Sequence, residues 1–426
     1  MSAIRPAGYP AVFAVREFRA VFGAHLLSLL GIVVGEIALS VLVYRLTGSP
    51  AMSALAFALG FLPYVAGGTL LSGVADRYPA RRVLVVCDLL CAASAAAMAL
   101  PGTPVAALLA LRCVNAAIGP VFAGTRATTL GEILGEGDLF VLGRSLIRLV
   151  SQGAQLAGFA AGGLLLTAVS PRGALLATVA GFLASALLLR FGTRARPART
   201  ATGAAGTPRG GLLTSSLAGV GRLLARPRTR ALLLLSWLPP FFLVVPEALA
   251  APYADDLGVG PAGLGLLMCA MPVGAIAGEV LAGSLLGPRA RERITLPVAA
   301  GCLLPLLGYA AHPSLGWALL AVGTAGLGMA HTLGLDQWFI AAVPEELRGR
   351  AMTVQTAGQM TIQGLGMALA GVAAECAPVH AVVAGSGVLG TLVVGFVARS
   401  VVRSAASRST AGPTGGASRV QAAQER

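Results

Sequence analysis

Twelve apolar runs, each about the length needed to cross a bilayer, dominate this 426-residue sequence. They are Ala20–Tyr44, Ala51–Ser72, Val83–Leu100, Val105–Arg126, Val141–Thr167, Gly173–Phe191, Ala231–Pro252, Gly260–Gly287, Ile294–Ala311, Leu315–Ile340, Met352–Ala373 and Val379–Ala398. A hydrocarbon core about 30 Å thick takes ~20 residues at a rise of ~1.5 Å each. Inside it the backbone must satisfy its own hydrogen bonds, so such runs fold as helices. Composition agrees: 56% of residues are hydrophobic and 11% charged, against roughly 25% charged in soluble chains. The expected fold class is an all-α polytopic membrane protein with twelve transmembrane helices. The first run follows Arg16, Glu17 and Arg19 and lacks a small-residue cleavage site after a short apolar core. It reads as a retained span and not as a signal peptide.

The net charge of +14 comes entirely from arginine, since the chain has no lysine. A basic soluble face would suit nucleic acid, but these arginines sit between membrane-length runs, which excludes that class of partner. Their distribution sets an orientation, because arginine-rich short loops stay on the cytoplasmic side. With the N-terminus inside, Arg45 and Arg172 alone fall outside, and Arg112 falls within the fourth span. Both termini are therefore expected in the cytoplasm, and the chain in the cell (plasma) membrane as a multi-pass protein.

Nine arginines and no acid occupy the stretch from Arg190 to Arg230. It divides the chain into an N-terminal six-helix unit (1–190), an Arg-rich cytoplasmic linker (191–230), a C-terminal six-helix unit (231–398) and a tail (399–426) whose Ser, Ala, Gly and Arg content predicts disorder. In the linker Leu213, Leu217, Val220 and Leu224 recur at helical spacing, as in a short interfacial helix; a solvated basic connector fits equally. The two halves carry corresponding elements. Loop 2/3, Ser72 to Arg82, matches loop 8/9, Gly283 to Arg293, in position. Loop 4/5 leads into Arg144, Arg148, Gln152 and Gln155, and loop 10/11, Val343 to Arg350, into Gln355, Gln359 and Gln363. Two parallel six-helix repeats are the simplest account.

The cluster Asp76-Arg77 and Arg81-Arg82, the run Tyr44-Arg-Leu-Thr-Gly-Ser-Pro50, the run Pro246-Glu-Ala-Leu-Ala-Ala-Pro-Tyr253 and Pro344-Glu-Glu-Leu-Arg-Gly-Arg350 resemble the major facilitator superfamily. Within it they resemble the drug:proton antiporter branch that includes macrolide-efflux and enterobactin-exporter-like proteins. Gly158-Phe-Ala-Ala-Gly-Gly163 is similar to the antiporter signature with Phe159 in place of Pro, and Ser72 and Pro79 stand where the loop 2/3 signature has Gly. The resemblance implies two six-helix bundles, with spans 1, 4, 7 and 10 lining a central cavity that opens alternately to either side. It implies a secondary active transporter, not an enzyme, that exports a hydrophobic or amphipathic small molecule such as a drug or secondary metabolite by proton antiport. Proton-coupled uptake by symport, or a transport-incompetent membrane receptor or scaffold, are the alternatives. An intramembrane enzyme would rest on the Glu36/Glu247 pair, which has no nucleophile signature beside it.

The resemblance makes Asp76, Arg77, Arg81 and Arg82 a conformational latch between the halves; retention of the arginines for orientation alone is the plainer reading. Ionisable groups in hydrocarbon cost ~2.5–3.5 kcal/mol each on insertion scales, so those present need partners or a wet cavity. They are Glu36, Arg112, Glu247, Glu279 and, nearer the cytoplasmic ends, Asp88, Arg148 and Asp336. Glu36 and Glu247 fall at matching places in spans one and seven, about 24 Å from the cytoplasmic ends, and Arg112 about 10 Å below the outer surface. In the resembled fold all three would share one polar cluster where protonation and substrate compete, Glu279 being a weaker candidate. Alternatively Glu36 and Arg112 form a fixed structural ion pair while Glu247 reaches the outer interface near Asp255.

Pro239, Pro240, Pro246 and Pro252 in span seven, and Gly31 and Gly35 in span one, are expected as gating bends or, for the glycines, as close packing sites. Gly385 to Gly390 fits a dinucleotide pattern without the strand that would make it one. The six cysteines are scattered and His25, His312, His331 and His380 dispersed, so no metal, cofactor or disulfide framework is expected. A phosphate loop needs a lysine the chain lacks. The expected partners are a small-molecule substrate, protons and the lipid bilayer, and a single chain of twelve spans is expected to act as a monomer.

Overall fold

The computed structural model describes residues 9–64, 78–135, 138–196, 227–343 and 348–410. Asp76 and Arg77, the linker segment with Leu213 to Leu224, the acidic part of loop 10/11 and residues 411–426 lie outside the described residues. The first half comprises α1 (Tyr9–Ala14), α2 (Arg16–Thr47), α3 (Pro50–Ala58), α4 (Ala80–Ala99), α5 (Val105–Leu134), α6 (Asp138–Ala168) and α7 (Pro171–Gly192). The second comprises α8 (Pro227–Ala248), α9 (Ala250–Asp256), α10 (Gly260–Leu285), α11 (Pro288–Gly301), a 3₁₀ segment (Leu304–Ala311), α12 (Leu315–Leu327), α13 (His331–Ala342), α14 (Arg348–Cys376) and α15 (Val379–Thr410). The chain is an all-α polytopic membrane protein with the twelve-span, two-bundle architecture. Ten of its described helices are long and apolar enough to cross a membrane by length and composition. Exposed apolar side chains such as Phe191, Leu285 and Phe396 clothe the outside, where lipid replaces water.

The run Tyr44 to Pro50 is a helix stop followed at once by a start. Gly48 takes the left-handed conformation (φ 65°) and returns its N–H to the Tyr44 carbonyl at 2.7 Å, which glycine does without a Cβ penalty. Ser49 then caps α3, accepting from the Met52 N–H at 3.1 Å, with Pro50 in the first turn; proline costs nothing there because that N–H has no helical partner. Spans one and two therefore turn back on each other within two residues.

Spans seven, nine and ten depart from single straight helices. The seventh breaks at Leu249, between α8 and α9, three residues after Pro246 removes a backbone donor. The ninth tightens into 3₁₀ geometry at Leu304, with Pro305 in its first turn. The tenth is interrupted by a 3₁₀ turn, Gly328–Ala330, between α12 and α13. Span one is continuous instead: Gly31 and Gly35 seat the α7 residue Thr178, whose hydroxyl donates to the Gly31 carbonyl at 3.1 Å. These glycines serve packing. The fourth span, expected to end at Arg126, runs on to Leu134. Arg126 does not end the helix, because inside the bundle it is met by His25 and the Phe122 ring.

In the first half α2 packs on α7 and α6, and α4 on α7 and α5; in the second α10 packs on α12, and α8 on α14 and α15. The halves meet along two main seams, α6 with α10 and α3 with α14. In span numbers these are 5 with 8 and 2 with 11, and exchanging each span for its counterpart in the other half, 5 for 11 and 8 for 2, turns one pair into the other, as a pseudo-two-fold repeat requires. Both seams are built on glycine. A Cβ on Gly163 would lie 2.9 Å from the Gly265 nitrogen, and one on Gly371 2.8 Å from the Ala51 Cα. These contacts fall toward the arginine-poor ends of the helices.

Candidate functional site

A cavity of ≈ 300 Å³ lies within the first half, walled by α2, α4, α5, α7 and the segment after α3. Its lining is mostly apolar, with Leu39, Met98, Ile118 and Phe182 among the wall residues, but it carries an acidic and a basic side chain toward each end. One helix, α5, supplies both cations. Arg112 and Arg126 are fourteen positions apart, or about 21 Å along the axis.

At the arginine-poor end the Arg112 guanidinium donates to Glu36 Oε1 and forms an ion pair with it. Arg112 is buried and fits because Gly60 has no side chain: a Cβ there would stand 2.8 Å from the Arg112 Cζ. A buried ion pair loses several kcal/mol of hydration per ion and persists only where geometry returns it. Glu247 on α8 is half-buried and lies within electrostatic reach of Glu36. Arg112 and Glu36 are thus in contact, and Glu247 lies within electrostatic reach of Glu36.

At the other end Asp88, wholly buried on α4, is bound by two hydroxyls. The Ser28 oxygen on α2 is 2.9 Å from Asp88 Oδ1, the Ser185 oxygen on α7 is 2.6 Å from Oδ2, and the two serine oxygens are 2.8 Å apart. Beside them Arg126 donates to His25 Nδ1 and stacks over the Phe122 ring at 4.2 Å. With Nδ1 accepting, the His25 proton is on Nε2, which donates to the Ser151 hydroxyl at 2.8 Å, and Ser151 donates to the Ile147 carbonyl at 2.8 Å. Hydrogen counting therefore makes His25 neutral.

The other expected site residues lie elsewhere. Glu279 is half-buried on α10, away from the cavity lining. Arg81 donates to the Thr193 carbonyl at 3.1 Å, at the end of α7, and Arg82 is exposed. Of the described half of the Asp76-Arg77-Arg81-Arg82 cluster, Arg81 is thus tied within the first bundle. Close by, Glu17 accepts from the Arg194 N–H at 2.9 Å and from Arg196 at 2.6 Å.

A clasp between the halves occurs instead at the arginine-poor face. Glu375 on α14 accepts from the Ser49 hydroxyl and from the Ala51 N–H at 3.1 Å, at the first turn of α3. Those donors and the positive helix start hold its carboxyl below the usual range. The histidines are less dispersed than their numbers suggest: His312 Nε2 meets Asp256 at 2.8 Å and its ring packs on His380 at 4.7 Å. Those three residues each offer a donor atom within 4.8 Å of the others, a spacing open to a metal ion. His331 is buried and donates to the Gly328 carbonyl at 2.8 Å, a packing role.

Two pseudo-symmetric helical bundles, with the Arg112–Glu36 ion pair held inside the first, are the architecture of a membrane transporter. The chain belongs to the Major Facilitator Superfamily, whose family model matches residues 21–338. Among solved structures it is similar to a POT family transporter in complex with 5-aminolevulinic acid (TM-score 0.68, 12% identity, covering 91% of this chain and 96% of that one). It is also similar to the nucleoside transporter NupG (0.67, 16%, 90% and 99%) and to a peptide transporter POT in complex with sulfate (0.65, 15%, 93% and 99%). At these identities the likeness is one of fold. No curated protein matches the chain.

Proposed function

We propose that this transporter exports a hydrophobic or amphipathic small molecule in exchange for protons, by rocking of residues 1–190 against 231–398 about the linker 191–230. The observation that carries the reading is the Glu36–Arg112 ion pair with a second carboxyl group, Glu247, within electrostatic reach of Glu36. Fully ionised, that cluster bears one net negative charge in a low-dielectric setting; one bound proton or one cationic ligand makes it neutral. Proton and ligand then compete for one charge-neutral state, which is the coupling that exchange needs. A cavity with largely apolar walls suits ligands of low polarity.

The arginine distribution supports both termini in the cytoplasm and residence in the plasma membrane. Asp76, Arg77, Arg81 and Arg82 are assigned the latch on the arginine-rich face, working opposite to the Glu375 clasp, and Glu279 a secondary proton site. Uptake by symport is the second reading, favoured by neighbours named as nucleoside and peptide transporters.

The test is purified carrier in proteoliposomes with a pH gradient, screened against macrolides, lipophilic dyes and nucleosides with a proton-flux readout. Glu36→Gln or Glu247→Gln is expected to abolish gradient-driven accumulation while leaving downhill exchange of the same compound. Gradient-driven transport retained by both variants would overturn the assignment. Proton and substrate moving in the same direction would make the carrier a symporter.

A further inference from the structure

Asp88, Ser28 and Ser185 make three oxygen–oxygen contacts of 2.9, 2.8 and 2.6 Å in a closed triangle. Each contact is at hydrogen-bond length and so needs one hydrogen between its two oxygens. The two serines bring one hydroxyl hydrogen each. An ionised Asp88 brings none, which would leave one pair of oxygens facing each other lone pair to lone pair. The triangle closes when Asp88 carries the third: the acid O–H on Oδ1 donates to Ser28, Ser28 donates to Ser185, and Ser185 donates back to Oδ2. Oxygens 2.6–2.9 Å apart leave no room for a water between them, so the missing hydrogen has to come from one of the three side chains.

The surrounding groups fit the same count. The titratable and charged residues around the triangle are His25 on α2, Arg126 on α5, and Cys87 and Cys91 on α4 itself; α7 contributes Ser185, and α6 contributes Ser151 to His25. Arg126 is within electrostatic reach of Asp88 yet directs its N–H to His25. An anion at Asp88 would draw that guanidinium to itself, and the neutral acid leaves it to the imidazole. We infer that Asp88 is a second proton-carrying site of this transporter, its acid hydrogen closing the ring with Ser28 and Ser185 in this buried conformation.

The inference goes beyond the exchange reading, because the protonation of Asp88 stands whether or not protons drive the carrier. If they do, the cavity joins two such sites. Ser28 and Glu36 are eight positions apart on α2, about 12 Å. A volume of ≈ 300 Å³ accommodates about ten waters at roughly 30 Å³ each. On release the Asp88 proton passes to cavity water, and the carboxylate left behind accepts from both serines and is balanced by Arg126.

The test is infrared spectroscopy of the full-length carrier with ¹³C-labelled aspartate, in lipid nanodiscs at neutral pH, with thermal unfolding of the same samples. The wild type is expected to show a protonated-aspartate C=O band that Asp88→Asn removes and that Ser185→Ala shifts to higher frequency. Asp88→Asn should keep the wild-type Tm, because its amide N–H takes the place of the acid O–H, whereas Asp88→Ala should lower it. An identical band in wild type and folded Asp88→Asn would overturn the proposal. So would Asp88→Asn unfolding as readily as Asp88→Ala, since the native state would then need the anion. Neither readout involves substrate, so each stands apart from any failure of the transport assay.

Discussion

Gly60 controls the charged pair from outside it. A methyl there would stand within van der Waals radii of the Arg112 Cζ, so Gly60→Ala is expected to push the guanidinium off Glu36. Gradient-driven transport should fall about tenfold, the equivalent of ~1.4 kcal/mol, with the protein still folded; vesicle flux and Tm together check it. Arg112→Ala goes further, leaving Glu36 without its counter-ion, and should cost ~3–5 kcal/mol of stability, read as a lowered Tm that Glu36→Gln in the same chain partly restores. Glu36, Arg112 and Glu247 were legible in the sequence because an ionisable residue stands out in an apolar run and its depth follows from counting. Ser28 and Ser185 were not, since a serine in a membrane helix most often bonds its own backbone and gives no sign of the partner it will meet. Asp88 was visible as a charge, but its ring depends on three helices whose rotation no sequence period specifies.

The helices themselves were the most legible elements, and the breaks within them the least. Span seven bends where prolines cluster, as expected, yet Gly31 and Gly35, equally open to a bend, are packed against Thr178. The element that sequence reading missed is the start of α3, which receives Glu375 from the other half. Because the folded carboxyl sits below its ordinary value of ~4.3, the clasp is fully formed above that value and is lost as pH falls through the lowered one. Spin labels at the ends of α3 and α14 are expected to report a fixed short distance at neutral pH and a broadened, longer one in acid. Glu375→Gln should show the longer distribution at both. The α6–α10 seam gives a steric counterpart. Gly163→Val would place side-chain atoms where the Gly265 backbone stands, and should part the halves on the arginine-poor face, raising labelling of cysteines introduced there.

At the scale of the whole molecule, twelve runs and a weak six-plus-six correspondence were enough to anticipate the architecture, because lipid permits so few solutions. The location of the polar cavity was not. It was expected between the halves, and the charged cavity described here is walled by the first half alone, with Glu247 approaching from the second. Orientation is checked most simply by impermeant labelling of cysteines at the two termini in intact cells. Both are expected to stay unlabelled until the membrane is opened, with a cysteine in place of Arg172 labelled throughout.

The seams between the halves are places where main chain lies on main chain, at Gly163 against Gly265 and Gly371 against Ala51. Where glycine faces main chain there are few teeth to unmesh, so at these two points one bundle can roll on the other with little change of rotamer. Once the Glu375 clasp is open, much of what resists the motion is the medium on either flank. Such a carrier should be paced by the thickness and viscosity of its bilayer more than by its own core, working fastest in the membrane that lets the bundles tilt most freely.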